Sequence, residues 1–335
     1  MSETRVPQLL KVFLAALAKE WFLVGMIGAV VLASLFPELG RSGGVLHGDK
    51  FTDIGIAIVF FLHGLGISLQ NLKDGLSCWK VHVFVQLSTF AVFPLIWAMA
   101  YALVGNWLPS GLALGFCYLC ALPSTVSSSV AMTGLARGNV PAAIFNATLS
   151  GLLGIVLTPL LVAAFAGGEG HSLPLLDTVL GIARQLLLPL VLGQLLRPLL
   201  HQWHLRNKRY TNLVDRWVIL MLVYTAFSDS VASGLWRNNG VGTLALTLVG
   251  AALILALVLT LSTWLARRLG FTVEDEIAAV FCGSKKTMAS GVPMAKLLFG
   301  ANPSLGLILL PIMLYHQLQL FVCSMQANRY ARRTV

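Results

Sequence analysis

The sequence predicts an all-α polytopic membrane protein with ten transmembrane helices. Of its 335 residues, 57% are hydrophobic and 11% are charged, whereas soluble domains carry roughly 25% charged residues. It contains apolar segments long enough to cross ~30 Å of hydrocarbon, which takes about 20 helical residues. Two of these segments are interrupted by polar residues at matching places, so the chain also predicts broken helices inside the membrane.

The ten apolar segments divide into two sets of five. They lie at 20–36, 52–70, 82–104, 110–137, 140–166, 174–197, 212–235, 241–266, 274–299 and 303–326. The Gly-rich stretch 167–171 separates a first repeat, 1–168, from a second, 169–335. Because five is odd, the second repeat must cross the membrane in the opposite sense to the first, as in inverted-repeat transporters.

The net charge of +10 reflects membrane topology. With both termini in the cytoplasm, most Lys and Arg outside the spans lie on the cytoplasmic side, and only Arg41, Lys50 and Arg237 lie opposite, as the positive-inside rule requires. This distribution argues against a nucleic-acid partner. We expect an integral protein of the lipid bilayer, in a bacterial inner membrane or, in a eukaryote, a plasma or secretory membrane.

The two interrupted segments predict the binding site. Residues 121–129 interrupt the fourth segment and residues 282–287 interrupt the ninth, and an offset of 157 aligns Thr133 with Ser290. A backbone break at membrane depth persists only where it is buried in protein or lines a water-filled cavity. We therefore predict that the two breaks cross at a site for a solute or an ion.

Lys285 and Lys286 are the ionisable residues deepest in these segments. One interpretation is functional: an ammonium substitutes for a bound cation or binds an anion. The other is structural: an ammonium donates to carbonyl groups left free at the break. Burial penalises the charged form, so the proton is a possible coupling ion.

The fourth segment carries a hydroxyl cluster directly after Pro123. Proline disfavours helix at the preceding residue, and a half-helix that begins after it directs its N–H groups towards the cavity, where an anion can bind. The alternative is that these hydroxyls only link helices. The cluster comprises Ser124, Thr125, Ser127, Ser128 and Ser129.

Other polar residues in the spans give weaker signals. Arg184 and Asp229 suggest an internal ion pair, and His63 and His316 are either packing residues or proton relays. Gln86, Ser88, Thr89, Asn146 and Thr148 could line a site or link helices. We find no phosphate loop, metal-ligand spacing or nucleophile–base pair. We therefore expect no catalytic residue, cofactor or metal.

The two interrupted segments carry a family resemblance. Residues 121–133, followed by Leu135-Ala136-Arg137-Gly138-Asn139-Val140, resemble the bile acid:sodium symporter family. Residues 283–293 resemble the branch of its seventh human member and bacterial relatives. The resemblance implies a core domain of spans 3–5 and 8–10 (82–166 and 241–326) and a panel domain of spans 1, 2, 6 and 7 (20–70 and 174–235).

The resemblance also implies where the sodium ligands should be, and this chain departs from that pattern. Hard cations need several oxygen ligands. Positions that carry them in sodium-coupled members read here Val130, Ala143, Ala147, Thr89, Ser284 and Met288. We therefore expect lysine charge to replace bound sodium.

These observations predict a secondary transporter of a small organic anion that works by alternating access, as a monomer or weak homodimer. The alternative is a non-transporting membrane regulator that retains the fold. The predicted substrate- and ion-binding residues are Ser124, Thr125, Ser127, Ser128, Ser129, Thr133, Thr89, Asn146, Ser284, Lys285, Lys286, Thr287 and Ser290.

Overall fold

The protein is described by a computed structural model that covers residues 21–45, 47–66, 77–166, 175–234, 237, 240–300 and 302–333. Every regular element within these ranges is helical, and no strand occurs there, as the sequence predicts. Both chain termini and the predicted divider at 167–171 lie outside the described residues.

The helices follow the predicted segments closely. In the first part of the chain they are α1 (Trp21–Leu35), α2 (Pro37–Gly40), α3 (Gly48–Gly66), α4 (Trp79–Leu87), α5 (Phe93–Val104), α6 (Ser110–Ala121), α7 (Ser127–Leu135) and α8 (Val140–Ala166). In the second part they are α9 (Leu175–Arg206), α10 (Lys208–Ala232), α11 (Val241–Arg268), α12 (Val273–Ser284), α13 (Gly291–Phe299) and α14 (Leu305–Ala331). A π-turn, Ser88–Val92, joins α4 to α5.

Four continuous helical stretches in the described part of the chain are long and apolar enough to cross a membrane by themselves. They are Trp79–Trp107, Val140–Phe165, Val241–Arg268 and Leu305–Ala331. The remaining spans and the inverted repeats stay predictions. The residues 198–211, which lie between the sixth and seventh predicted spans, are mostly helical because α9 continues to Arg206 and α10 begins at Lys208.

The helices pack in two groups. Helix α3 packs against α9 and α10, and α10 also packs against α1. In the second group, α6 packs against α8 and α14, while α12 packs against α4, α7 and α11. Contacts of α10 with α13 and α14 join the two groups. Both interrupted segments therefore belong to the second group. The ends of α6 and α12 and the start of α13 are buried in its interior, whereas α7 begins at the exposed Ser127.

The start of α12 is well capped. The Thr272 side chain accepts a hydrogen bond from the Asp275 N–H at 3.2 Å, and Glu274, Asp275 and Glu276 fill the first turn. A hydroxyl cap and early carboxylates both stabilise a helix N-terminus. The helix then proceeds to Ser284, where it stops inside the protein without a glycine C-cap.

Candidate functional site

The two interruptions touch each other directly. The Thr287 N–H donates to the Pro123 carbonyl at 3.0 Å, and the Ser124 hydroxyl donates to the Cys282 carbonyl at 2.5 Å. The α6–α7 break and the α12–α13 break are thus joined by hydrogen bonds in both directions. This is the juxtaposition that the two matching interruptions predict.

Side chains satisfy the carbonyl groups at the end of α12. The last four carbonyls of a helix have no partner within the helix, and in an apolar interior an unpaired one is costly. Here each of the four carbonyls accepts a hydrogen bond from a side-chain hydroxyl. The hydroxyls of Ser129, Ser124, Ser88 and Tyr315 donate to the carbonyls of Phe281, Cys282, Gly283 and Ser284, respectively. The hydroxyls therefore support the break itself.

The Lys286 side chain donates hydrogen bonds to backbone carbonyls at the end of α6. Its ammonium donates to the carbonyls of Cys120 at 2.9 Å and Leu122 at 2.7 Å, while the carbonyl between them, that of Ala121, accepts from the Thr158 hydroxyl. A third bond runs to the Thr89 carbonyl at 2.9 Å. Lys286 is fully buried, and its Nζ lies 3.9 Å from the centre of the Phe93 ring.

The Thr89 carbonyl is free because of the local sequence. In the π-turn the Phe93 N–H bonds to the Ser88 carbonyl, so the next residue would have to donate to Thr89. That residue is Pro94, which has no N–H. The π-turn and the proline together leave the buried Thr89 carbonyl without a backbone donor. The Lys286 ammonium donates to it instead.

Lys285 has different surroundings. It is also fully buried, but its ammonium donates to a single carbonyl, that of Ser128, at 2.8 Å. Its Nζ lies 5.3 Å from the centre of the Phe281 ring. Ser128 is half-buried and Ser127 is exposed. The Lys285 charge therefore lies against the first turn of α7, at the open edge of the crossing.

The first turn of α7 is built from clustered hydroxyls. The Thr125 hydroxyl is within 2.7 Å of the Ser128 hydroxyl and of the Ser129 hydroxyl. The Thr133 hydroxyl bonds back to the Ser129 carbonyl at 2.8 Å. The start of a helix carries partial positive charge, so the exposed end at Ser127 combines that charge with the nearby ammonium.

The structure places the remaining predicted residues as follows. Ser284 is buried and its hydroxyl returns to the Val280 carbonyl. The Thr287 hydroxyl accepts from Ser290. Asn146 does not take part in the crossing: its amide contacts His82 and accepts from Gln86. It links α4 to α8.

The predicted pairing of Arg184 with Asp229 is wrong. Asp229 instead accepts two hydrogen bonds at 2.8 Å, from the backbone N–H and the hydroxyl of Ser42. Arg184 is exposed on α9. Asp229 lies near the end of α10 next to the connection between α2 and α3, and that connection supplies its donors. His63 lies 3.7 Å from Asp215, and His316 contacts Gln319.

Several residues of the crossing were not predicted. Gln319 pairs with Lys286 through both backbone groups, accepting from its N–H at 2.8 Å and donating to its carbonyl at 2.9 Å. The Tyr118 hydroxyl donates to the Gly291 carbonyl at the start of α13. Tyr315 and Gln319 are spaced four apart on the apolar α14, which places them on one helix face. This spacing of two polar residues was the sequence feature from which their role could have been predicted.

Comparisons with known proteins identify the family. Residues 20–332 match the model of the SBF-like CPA transporter family. The chain is 48% identical to an uncharacterized protein of Pseudomonas aeruginosa over 93% of both chains. It is 43% identical to YfeH of Escherichia coli, which carries the name of a symporter, again over 93% of both.

The chain is also similar to a vertebrate protein over nearly its whole length. Sodium/bile acid cotransporter 7-B of Xenopus laevis is 35% identical over 93% of this chain and 91% of its own. These relatives favour a transporter over the regulator considered as the alternative. The chain therefore belongs to the SBF-like CPA transporter family, among the bile acid:sodium symporters, and is a membrane transporter and not an enzyme.

Proposed function

We propose that this transporter carries a small organic anion by alternating access, and that it does so without bound sodium. In this scheme ten spans form two inverted five-helix repeats, and a panel of spans 1, 2, 6 and 7 moves against a core of spans 3–5 and 8–10. The protein lies in a bacterial inner membrane, and both termini are on its cytoplasmic side. The transporter acts as a monomer or weak homodimer.

One observation carries the choice of an anion: the buried Lys285 ammonium beside the first turn of α7. The ammonium gives one hydrogen bond to the Ser128 carbonyl, although it has three N–H donors. The exposed Ser127 leaves room for a solute at the same end. A carboxylate or sulfonate placed there would meet an ammonium, a hydroxyl and the free N–H groups of a helix start.

Lys286 supports the absence of sodium coupling. Three carbonyl oxygens surround its Nζ at 2.7–2.9 Å, and carbonyl oxygens are ligands that a hard cation would otherwise use. The ammonium already supplies a fixed positive charge there. Three positions where the resemblance implies sodium ligands, Ala143, Ala147 and Met288, are buried and offer no side-chain oxygen. A proton that leaves and returns is the remaining candidate for a coupling ion.

The contacts between the two helix groups fit a movement of one against the other. Lys296 on α13 bonds to Asp53 on α3 at 2.9 Å and also to Thr52. The Ser230 hydroxyl on α10 donates to the Pro303 carbonyl at 3.0 Å. Polar contacts of this kind can break and re-form. The two groups also share buried apolar side chains, among them Ala226 on α10 and Leu305 on α14, which the movement has to separate.

A ligand-stabilisation screen tests this proposal. The melting temperature of the purified protein is measured against a panel of bile acids, aryl sulfonates and short dicarboxylates, in sodium and in potassium at equal ionic strength. We expect at least one anion to stabilise the protein equally in both salts. Lys285→Gln should abolish that shift, while the matched control Lys208→Gln, an exposed lysine at the start of α10, should keep it.

Two results would contradict the proposal. Stabilisation by sodium alone, saturable and absent with potassium, would show that a sodium site persists with other ligands. Failure of every anion to stabilise the wild-type protein would remove the case for an anion site at the crossing.

A further inference from the structure

A cavity lies away from the crossing, between α11 and α14. It has a volume of about 670 Å³. It is lined by Ala256, Leu259, Thr260, Thr263, Trp264, Arg267, Arg268, Val322, Met325, Gln326 and Arg329. None of these residues belongs to the two interruptions, so the transport scheme leaves this cavity without a role.

The cavity changes character along its length. Ala256, Leu259 and Val322 form an apolar end, whereas three arginines lie together at the other end. From Ala256 to Arg268 the α11 axis rises about 18 Å, at ~1.5 Å per residue. The arginines occupy the end of a helix long enough to span the bilayer. The apolar end therefore lies at hydrocarbon depth and the basic end at the membrane surface.

Two of the three arginines carry uncompensated charge. The Arg267 guanidinium is neutralised by Glu276, to which its Nε donates at 3.1 Å. Arg268 lies over the Trp264 ring, with Cζ 5.6 Å from its centre, in the range of a cation–π contact. Within the described ranges, neither Arg268 nor Arg329 forms an ion pair with a carboxylate.

One polar atom between the two ends also lacks a partner. The Oε1 atom of Gln326 is buried and accepts no hydrogen bond from any residue that the structure describes. Gln326 lies one helical turn from Arg329, on the same side of α14. A ligand that places a hydroxyl beside an anionic group would satisfy both positions at once.

We propose that this cavity binds an anionic phospholipid, with its phosphate at Arg268 and Arg329 and an acyl chain along the apolar end. Guanidinium groups bind phosphate through paired N–H donors, and basic pockets between membrane helices bind anionic headgroups. Trp264 fits the interface, where tryptophan is enriched. The headgroup hydroxyls of phosphatidylglycerol supply the donor that Gln326 lacks.

Native mass spectrometry of the full chain in detergent tests the proposal, with phosphatidylglycerol and phosphatidylcholine titrated in parallel. We expect phosphatidylglycerol to bind more tightly than phosphatidylcholine. Arg268→Gln combined with Arg329→Gln should weaken phosphatidylglycerol binding roughly 5- to 30-fold, from the contribution of two basic contacts at a membrane surface. The control pair Arg206→Gln and Arg209→Gln removes equal charge from exposed positions on α9 and α10 and should change binding less than twofold.

A second variant separates a lipid site from a surface for any anion. Ala256→Trp fills the apolar end at an exposed position and leaves every charge in place. It should also weaken phosphatidylglycerol binding. The proposal is overturned if the control pair weakens binding as much as Arg268→Gln combined with Arg329→Gln does. It is also overturned if Ala256→Trp has no effect, or if inorganic phosphate alone displaces the lipid at equal concentration.

Discussion

Replacing Lys286 by Met measures how much the buried ammonium stabilises the crossing. The side chain gives up hydrogen bonds to the carbonyls of Thr89, Cys120 and Leu122. Hydrogen bonds in membrane proteins contribute about 0.6 kcal/mol on average and up to ~1.7. Three of them predict a loss of about 2–5 kcal/mol in the free energy of unfolding.

Lys285→Met is the matched control, because it removes a neighbouring buried ammonium with one such bond. At the same contribution per hydrogen bond, we expect a loss of about 0.6–1.7 kcal/mol in the free energy of unfolding. Both variants would be unfolded by dodecyl sulfate in mixed micelles, with far-ultraviolet circular dichroism as the readout. A Lys286→Met protein as stable as the wild type would contradict this prediction, since the cost of burying the ammonium would then outweigh its bonds. A larger loss of unfolding free energy in Lys285→Met than in Lys286→Met would contradict it as well.

Two further substitutions test the packing around the breaks. Gly154→Ala should destabilise by about 1–3 kcal/mol, because a Cβ there would lie 2.6 Å from the Pro123 ring. At Gly151, also inside α8, a Cβ would meet no atom of another part of the protein within 4 Å, so Gly151→Ala should stabilise by up to about 1 kcal/mol through helix propensity in the same denaturation assay. Tyr315→Phe should cost about 1 kcal/mol by leaving the Ser284 carbonyl unpaired, and an unchanged midpoint would show that this carbonyl finds another donor.

The sequence predicts the helical class and the two breaks because their signals are local. Long apolar segments indicate spans by length and composition, and Pro123 with the hydroxyls after it marks a helix end. The helix bounds at 121 and 127, and at 284 and 291, follow these signals within a few residues. The second break has no proline at its start, yet Gly283 and Ser284 lie where α12 ends.

Partners that lie far apart in the chain could not be predicted. The structural reading of Lys286 depends on the Thr89 carbonyl, which is 197 residues away and is free only because the π-turn meets Pro94. The sequence left both interpretations of the lysines open. The contacts of Lys286 with helix-end carbonyls fit the structural one, whereas a binding role for Lys285, which donates to the Ser128 carbonyl, stays a prediction. The Asp229 partner was mispredicted for the same reason, since Ser42 lies 187 residues away.

The most direct test of the account is whether a solute covers the first turn of α7. Ser127→Cys would be made in a Cys78→Ser background, because the other four cysteines are buried, and labelled with a membrane-impermeant maleimide in proteoliposomes. An anion that stabilises the protein should slow the labelling about tenfold at ten times its Kd, and sodium alone should not. Labelling that proceeds at the same rate with and without that anion would contradict the placement of the site at the crossing.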